Sequence, residues 1–302
     1  MKRAITVAAA QTGPVSRDEP RAAVVSRLMD LMREASARGA RLVVFPEAAL
    51  TPFFPHWYVE GEELDAYFDA EMPTADTLPL FELAQSIGVA FSLGYCEIVK
   101  EVGTTKRFNT SILVDADGTI VGKYRKIHLP GHHDYRPEYP HQNLETRYFD
   151  VGDLGFRTWE LLGGKIGMCI CHDRRWPETF RVLGLEGAEL VTLGYNTPLH
   201  NPAMPETDAL ALFHNRLCMQ AGAYQNGLWV VGVAKAGNEE DVYQIGGSCI
   251  IAPSGEIIAS AFTDEDEVIV GTCDLDQCSR YKQYSSFASA RQPNYYGRIV
   301  AE

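Results

Sequence analysis

Short apolar segments alternate along this chain with segments that have the periodicity of an amphipathic helix. Residues 4–10, 42–45 and 228–234 are apolar at nearly every position, which is typical of strands buried on both faces. Residues 20–38 instead place their apolar side chains on one helical face. A sheet that is apolar on both faces must be covered on both faces. The alternation therefore predicts an α/β fold in which helices pack on β-sheets.

Two later segments resemble each other. Residues 109–121 indicate a hairpin that turns at Asp117-Gly118, and residues 247–258 have the same shape around Ser254-Gly255. This weak repeat predicts two related halves within a single domain that spans residues 1–302. From about residue 275 we expect a C-terminal helix and a tail. The tail is too aromatic for a solvated end, so it should pack on the core or on a partner subunit.

Composition narrows the class of protein. The 302 residues are 46% hydrophobic and 22% charged, as expected for a globular chain. The 40 acidic residues outnumber the 27 basic ones, which argues against a nucleic-acid partner because phosphate binding needs a basic face. Seven cysteines, an odd number, suit a reducing compartment, and we expect a cytoplasmic protein.

The amino terminus imitates a short signal peptide, with Lys2-Arg3 ahead of an apolar stretch. That stretch is short and rich in alanine, so we interpret residues 4–10 as the first strand of the fold. No apolar run in the sequence approaches the length of a membrane span, and no membrane partner is expected.

A polar segment follows the apolar run 165–170 abruptly. Cys171 is the first residue after that predicted strand, and Pro177 suits the first turn of a helix. Unpaired backbone N–H groups at such a junction favour negative charge, so we expect a lowered thiol pKa and a nucleophile at Cys171. The alternative is a small buried hydrophobic residue, the usual fate of a free cysteine. Arg174 and Arg175 follow, and paired arginines suit a carboxylate bound through two hydrogen bonds.

Two other segments place a carboxylate and an ammonium group near strand ends. Glu47 follows the strand 42–45 beside an aromatic loop, where a carboxylate can act as a general base. The alternative is an ordinary glutamate in solvent. Further along, strand alternation puts Tyr124 and Lys126 on the face opposite to Arg125. Lys126 is therefore predicted to point inward, although basic segments are usually solvated.

Glu47, Lys126 and Cys171 resemble the catalytic residues of the nitrilase superfamily of carbon–nitrogen hydrolases. The similarity covers nearly the whole chain and is greatest to the N-carbamoyl-D-amino-acid amidohydrolases. Each motif alone is weak, but together they are specific. The motifs that carry the resemblance are Phe-Pro-Glu at 45–47, Phe-Asn-Thr-Ser-Ile-Leu-Val-Asp at 108–115, Lys-Tyr-Arg-Lys-Ile-His-Leu-Pro-Gly at 123–131, Asp-Arg-Arg-Trp-Pro-Glu at 173–178 and Gly-Tyr-Asn-Thr-Pro at 194–198.

The resemblance implies a four-layer α-β-β-α sandwich with a Glu47–Lys126–Cys171 triad and a second glutamate, Glu145, beside the lysine. Two positions depart from the pattern of those amidohydrolases. His172 stands where they carry Asn, and Asn143 stands where they carry His. The changes look like an exchange, so a hydrogen-bonded pair would survive if the two positions face each other. The polar residues implied to line the substrate pocket are Arg174, Arg175, His172, Asn143, His128, Asn196 and Thr197.

The predicted activity is hydrolysis of the carbamoyl group of N-carbamoyl-D-amino acids to D-amino acid, ammonia and carbon dioxide through a cysteine thioester. The alternative is an amidase or carbamoylase for another small carboxylate-bearing amide or ureido substrate. No cofactor is expected, and no metal, because His132, His133 and His141 lack partners at zinc-ligand spacing. The expected assembly is a homodimer or homotetramer.

Two other classes of function compete with this interpretation. A redox protein would use Cys169 and Cys171, which share one face of the predicted strand. However, Cys-x-Cys is not the usual redox spacing. A non-catalytic binding protein on the same fold is disfavoured because Glu47, Lys126 and Cys171 are all present.

Overall fold

The computed structural model describes residues 3–301, which form two six-stranded sheets and a separate two-stranded one. The strands, in chain order, are β1 (Ala4–Gln11), β2 (Leu42–Val44), β3 (Ala90–Glu101), β4 (Thr104–Val114), β5 (Ile120–Arg125), β6 (Thr158–Leu161), β7 (Gly164–Ile170), β8 (Leu190–Tyr195), β9 (Trp229–Ala234), β10 (Ala236–Glu239), β11 (Val242–Ile245), β12 (Cys249–Ile251), β13 (Ile257–Ser260) and β14 (Glu267–Asp274).

Helices connect these strands, and short 3₁₀ turns lie at Phe54–His56, Cys171–Arg175, Pro205–Leu210 and Pro293–Tyr295. Within residues 3–301, no helix combines the length and the apolar character that a membrane crossing requires. The α-helices are α1 (Arg21–Ala37), α2 (Gly61–Asp65), α3 (Leu78–Ile87), α4 (Glu145–Tyr148), α5 (Pro177–Leu185), α6 (Ala211–Asn226), α7 (Asp276–Tyr284), α8 (Phe287–Ala290) and α9 (Gly297–Val300).

The two large sheets share one strand arrangement. In the first, β1, β2 and β3 run parallel, and the antiparallel hairpin β4–β5 continues from β3. In the second, β7, β8 and β9 run parallel, and the antiparallel hairpin β12–β13 continues from β9. One antiparallel strand lies at the other side of each set, β14 beside β1 and β6 beside β7. The predicted relation between the two halves therefore appears in the sheet topology.

The side chains of β1 show how the layers form. Val7 and Ala9 lie in the core between the two sheets, while Ala8 and Ala10 face the helices α1 and α3. This alternation buries both faces of the first sheet, as its apolar sequence predicts. On the far side, α5 and α6 pack on the second sheet through Phe180, Leu183, Met219 and Ala223. The predicted four-layer α-β-β-α sandwich is confirmed.

The C-terminal segment begins on the core and then becomes exposed. In α7, Cys278 is buried and the Lys282 ammonium donates to the carbonyl of Ala188 at 2.7 Å. Beyond this helix, Tyr284 and Tyr295 are 93% and 83% exposed. Packing of this tail on a partner subunit stays a prediction. Glu302, the last residue of the predicted tail, lies outside the described residues.

Candidate active site

Glu47 lies beyond β2 and is held by donors from three other segments. Its side chain is buried, and Oε1 accepts hydrogen bonds from Asn109 Nδ2 and from Lys126 Nζ, both at 2.7 Å. Oε2 accepts the backbone N–H of Asn196 at 2.9 Å. Because donors engage both oxygens, the carboxylate is held in one orientation.

Lys126 directly follows β5, and its side chain points to the same buried side as that of Tyr124. Its ammonium group bridges Glu47 at 2.7 Å and Glu145 at 2.5 Å, and all three side chains are fully buried. Burial alone would lower the pKa of Lys126, but the nearby Cys171, Glu145 and Glu47 raise it above its usual range. Burial raises the pKa of Glu145, and the Lys126 charge opposes that rise. The lysine is therefore a cation at neutral pH.

Cys171 begins the 3₁₀ turn that follows β7, with a backbone φ of 47°. Positive φ is unfavourable for a residue with a side chain, and such strain concentrates at functional sites. The thiol is almost fully buried and donates to the carbonyl of Asn196 at 3.2 Å. Burial, with the Glu47 carboxylate, raises the pKa of the thiol to about 11, against the effects of Lys126 and Arg174. The expectation of a lowered pKa is therefore wrong, because burial and the Glu47 carboxylate outweigh the Lys126 and Arg174 cations.

The sulfur of Cys171 and one carboxylate oxygen each from Glu47 and Glu145 lie within 4.8 Å of one another. The structure thus brings together the four residues predicted as catalytic. Three such ligands could also hold a metal ion. The Lys126 ammonium already bonds to both carboxylates, so a metal ion would have to compete with this lysine for the same oxygens.

The two predicted substrate arginines have different surroundings. Arg174 is 2% exposed, and its guanidinium donates to Asn215, to Thr197 and to the carbonyl of Cys171. Arg175 is exposed and, within residues 3–301, makes no hydrogen bond or ion pair. Desolvation and the Arg174 cation lower the pKa of Arg175. Of the two, Arg175 is the one whose guanidinium protein groups within residues 3–301 leave unoccupied.

His172 and Asn143 do not form a hydrogen bond in the described part of the chain. The His172 ring packs edge-on against Trp176, with ring centroids 5.5 Å apart. The Asn143 amide instead bonds to the backbone just ahead of α4, where its Oδ1 accepts the Glu145 N–H at 3.1 Å. Burial, with the charge of Lys126, lowers the pKa of His172 to about 4, so the imidazole is neutral at neutral pH. The suggested exchange of a bonded pair is therefore not observed in this structure.

His128 is anchored by Asp173 beside the site. Both the backbone N–H and Nδ1 of His128 bond to Asp173 Oδ1, at 3.0 and 2.8 Å. The other carboxylate oxygen of Asp173 accepts from the Tyr124 hydroxyl and from the Ile170 N–H. Asp173 therefore ties the end of β7 to the segment that follows β5, which holds Cys171 near Lys126.

Asn196 and Thr197 form hydrogen bonds with Glu47 and Arg174, respectively. The Asn196 side-chain amide donates to the backbone carbonyl of Glu47 at 2.9 Å, and the Thr197 hydroxyl accepts from Arg174 at 2.7 Å. Both residues were predicted to line the substrate pocket, and both are buried here. These contacts position Glu47 and Arg174.

No role in the site was predicted for Asn109, Asp173 or Asn215. Asn109 and Asp173 lie inside motifs that carry the family resemblance, so those motifs could have indicated that the two residues belong to the site. Asn215 lies in α6 and had no such signal, because its bond to Arg174 joins residues 41 positions apart.

A cleft of about 590 Å³ lies beside these residues. Its lining includes Ile127, Thr146 and His172, which directly follow Lys126, Glu145 and Cys171 in the chain. Trp176 and His128 also line it. The cleft gives a small molecule room next to the buried cluster.

The fold and the cluster define a class: an α-β-β-α protein with a buried thiol beside a carboxylate and a lysine, the groups that thiol-dependent acyl transfer uses. A family model described as carbon-nitrogen hydrolase matches residues 6–283. The N-carbamoylputrescine amidase of Arabidopsis thaliana is 30% identical over 278 residues, covering 88% of this chain and 86% of that protein. The citrullinase of Francisella tularensis is 28% identical over 282 residues, covering 91% and 92% of the two chains.

Among solved structures, the carbon-nitrogen hydrolase from Helicobacter pylori G27 aligns with a TM-score of 0.85 and 23% identity, covering 100% of this chain and 99% of that one. This likeness supports the fold. Because the family model matches most of its length, the chain belongs to the carbon–nitrogen hydrolase family. It is a nitrilase-superfamily enzyme related to carbamoyl amidohydrolases, and it hydrolyses carbon–nitrogen bonds other than peptide bonds. The resemblance seen in the sequence is confirmed at this level.

Proposed function

We propose that this enzyme hydrolyses the carbamoyl group of N-carbamoyl-D-amino acids through a thioester on Cys171. The observation that carries the proposal is the convergence of the Cys171 sulfur with Glu47 and Glu145 around the Lys126 ammonium. The named relatives support the choice of bond, since N-carbamoylputrescine amidase and citrullinase are among them.

In the first half of the reaction, Glu47 takes the proton of the Cys171 thiol as the sulfur attacks the ureido carbonyl carbon. A general base is needed because the thiol is largely protonated at neutral pH. The carbonyl oxygen becomes negative and is stabilised by the Lys126 ammonium and the backbone N–H of His172. Glu47 then delivers its proton to the departing nitrogen, and ammonia leaves.

In the second half, Glu47 removes a proton from water, which attacks the thioester carbon. The carbon–sulfur bond breaks, and the proton returns to the Cys171 sulfur. The released carbamate loses carbon dioxide and leaves the free amino acid. Glu145 touches Lys126 and keeps its charge compensated while Glu47 carries the proton.

We assign the substrate carboxylate to Arg175. It lies four residues after the nucleophile, and protein groups within residues 3–301 leave its guanidinium unoccupied. A partly desolvated arginine without a protein partner is suited to a charge-assisted bond with a carboxylate. His172 and the cleft beside it offer a partly aromatic surface for the rest of the substrate, with one acidic residue, Asp150, in the lining.

A second candidate is a carbamoylase for a ureido compound whose charged group lies farther from the reacting carbon. The observation in its favour is the citrullinase among the similar proteins. The two candidates differ in the distance between the carbamoyl carbon and the carboxylate, so a substrate panel separates them.

The test is ammonia release from N-carbamoyl-D- and L-amino acids, citrulline, N-carbamoylputrescine and neutral alkylureas. The wild type should prefer N-carbamoyl-D-amino acids. Arg175→Ala should lower kcat/KM for carboxylated substrates at least about 30-fold. The lost charge-assisted contact corresponds to about 2–5 kcal/mol of transition-state stabilisation. Neutral alkylureas should change little.

Arg33→Ala is the matched control, because Arg33 lies on α1, is exposed, and pairs only with Asp30 in the described residues. Cys171→Ala supplies the background rate. Equal losses on charged and neutral substrates would show that Arg175 is structural. Turnover of N-carbamoylputrescine alone would contradict the proposed substrate class.

A further inference from the structure

Lys235 and Glu239 form a buried ion pair outside the catalytic cluster, with the Lys235 ammonium 3.1 Å from Glu239 Oε2. Within residues 3–301, this is the one pair besides those of Lys126 in which both side chains are fully buried. Lys235 directly follows β9, and an isolated bridge pairs it with Thr12, which directly follows β1. The ion pair therefore lies where the two large sheets meet. Burying both charges costs desolvation energy, so a gain in stability does not by itself account for the pair.

Both members of the pair also bond to the backbone of the segment that follows Glu47. Lys235 Nζ donates to the carbonyl of Thr51. Glu239 Oε1 accepts the Phe53 N–H at 2.7 Å. These two backbone groups lie four and six residues after Glu47. One ion pair therefore fixes the segment at two points.

The backbone between Glu47 and Thr51 is strained. Ala48 has a φ of 45°, which is unfavourable for a residue with a Cβ. The Thr51 N–H donates to the Ala48 carbonyl at 3.4 Å, which closes a turn directly after Glu47. Strained conformations persist where the surrounding contacts over-determine them. The bonds at Thr51 and Phe53 supply such contacts at the far end of this turn.

The hairpin that contains Glu239 also holds a second segment beside Glu47. β10 pairs with β11, and Ile245 of β11 donates its N–H to the carbonyl of Thr197 at 2.9 Å. Thr197 directly follows Asn196, whose backbone N–H bonds to Glu47 Oε2 at 2.9 Å. The β10–β11 hairpin therefore contacts both the segment that carries the Glu47 carboxylate and a segment that donates to it.

We propose that Lys235 and Glu239 are positioning residues of this hydrolase. Their bonds to segment 51–53 hold the strained turn that follows Glu47, and this turn keeps the Glu47 carboxylate within reach of the Cys171 thiol. The inference rests on the proposed function only in taking Glu47 as the general base. The effect passes through the backbone, because neither side chain belongs to the catalytic cluster. A misplacement of about 1 Å in a reacting group can lower a rate about a hundredfold.

The test measures kcat and KM for ammonia release in Lys235→Met and in the isosteric Glu239→Gln, at a temperature where far-UV circular dichroism shows the variants to be folded. The substrates are N-carbamoyl-D-amino acids, citrulline and N-carbamoylputrescine. For each substrate that the wild type turns over, kcat should fall about a hundredfold while KM changes little, because the base is displaced and the substrate contacts remain. Wild-type kcat in the folded variants, or a loss confined to KM, would overturn the inference.

Glu189→Gln is the matched control. Glu189 likewise pairs with a cation, that of Arg3, and accepts a backbone N–H, that of Lys165 at 3.1 Å. It directly precedes β8, whereas Asn196 directly follows that strand, so Glu189 lies at the end of β8 away from the site. This variant should keep the wild-type kcat, and an equal loss of kcat in it would show that any lost ion pair has the same effect.

The double variant Lys235→Met with Glu239→Leu separates positioning from stability, and it carries the test if a single variant does not fold. Each single change leaves one buried charge without its partner, whereas the double change leaves neither charge. The double variant should therefore unfold at a higher urea concentration than either single variant. Its kcat should stay about a hundredfold below the wild type, because the new side chains cannot bond to the Thr51 carbonyl or the Phe53 N–H. Recovery of kcat together with stability would show a purely structural role and would overturn the inference.

Failure of the proposed function has a different signature. A wild type that releases no ammonia from any N-carbamoyl-D-amino acid would contradict that function. The comparison of kcat on citrulline or N-carbamoylputrescine would then still decide the positioning role. Wild-type kcat in Glu47→Gln would instead overturn the inference itself, because Glu47 would not be the base that Lys235 and Glu239 position.

Discussion

At the scale of single residues, the protein keeps several ionisable groups out of water and fixes their charge by their partners. His56, in the aromatic loop near Glu47, is 1% exposed. Its Nδ1 bonds to the carbonyl of Gln142 at 2.8 Å, and its Nε2 lies 3.1 Å from the Gln244 amide nitrogen. A neutral imidazole satisfies both contacts, donating from Nδ1 and accepting at Nε2. Burial lowers the pKa of His56 to about 3.

This low pKa predicts a loss of stability in acid. In the unfolded chain a histidine binds a proton below about pH 6.5, whereas folded His56 stays neutral until about pH 3. The unfolded state therefore binds more protons in this window, and the free energy of unfolding falls as the pH falls from about 6.5 to about 3. The contribution of one group is at most about 1.4 kcal/mol per pH unit. Urea unfolding of His56→Gln should show a lower stability at pH 7 and a shallower decline between pH 6 and pH 4.

His133→Gln serves as the control, because the His133 side chain is 68% exposed. Its stability should follow the wild type at every pH. If the curves of wild type and His56→Gln stay parallel, His56 does not carry the acid sensitivity.

At the scale of elements, the site depends on how closely a connecting segment approaches the strands on either side of it. The segment that contains Pro46 and Glu47 leaves β2 and passes close to both β3 and β8. Glycine stands at each point of contact. A Cβ on Gly94 would lie 2.5 Å from the carbonyl oxygen of Pro46, and a Cβ on Gly194 would lie 2.3 Å from the Glu47 nitrogen. Two strands, one from each sheet, thus leave room for the general base.

Gly194→Ala should therefore damage both folding and activity. The added methyl group meets backbone, which cannot move aside as a flexible side chain can, so Glu47 must shift. We expect a loss of about 1–3 kcal/mol in the free energy of unfolding, as for overpacked cores. A displaced base should also lower kcat about a hundredfold. Urea unfolding and ammonia release measure the two effects.

Gly297→Ala is a suitable comparison, since a Cβ at Gly297 meets nothing within 4 Å in the described residues. That variant should match the wild type. Wild-type stability and activity in Gly194→Ala would show that the close approach to β8 does not position Glu47.

At the scale of the whole molecule, one outer layer of the sandwich exposes apolar side chains. On α6, Phe213, Leu217 and Tyr224 are 58%, 49% and 61% exposed, and on α5, Val182 and Leu185 are 37% and 38% exposed. The two helices pack side by side, because Phe180 of α5 lies against Gly222 of α6. Clusters of exposed apolar residues usually mark an interface. This face supports the predicted homodimer or homotetramer.

We predict that Phe213→Glu with Leu217→Glu converts the assembly to monomers, because two carboxylates would be buried in an apolar contact. Light scattering coupled to size exclusion should report a multiple of 33.5 kDa for the wild type and 33.5 kDa for the variant. Leu78→Glu is the matched control on the opposite helical layer, where Leu78 is 43% exposed. A monomeric wild type at micromolar concentration would exclude the predicted assembly through this face.

The sequence by itself determined the elements and the reacting groups. Apolar runs such as 165–170 become central strands, and periodic segments such as 20–38 become helices. The order of apolar and polar residues within one short segment indicates whether one or both of its faces are buried. Short or polar strands were missed, among them β6 and the pair β10–β11, because a four-residue strand has too few side chains to show a pattern. Local sequence also placed Glu47, Lys126 and Cys171 near strand ends.

Only the tertiary structure decided which side chains contact one another in the site. Adjacent arginines have the same local sequence signal, yet the 3₁₀ turn sends Arg174 into the core and leaves Arg175 exposed. Asn196 contacts Glu47, 149 positions away, and Asn143 accepts the N–H of Glu145 rather than pairing with His172. The thiol pKa likewise rises rather than falls, because it depends on burial beneath distant segments. Contacts of this kind depend on the packing of remote parts of the chain, which local periodicity does not encode.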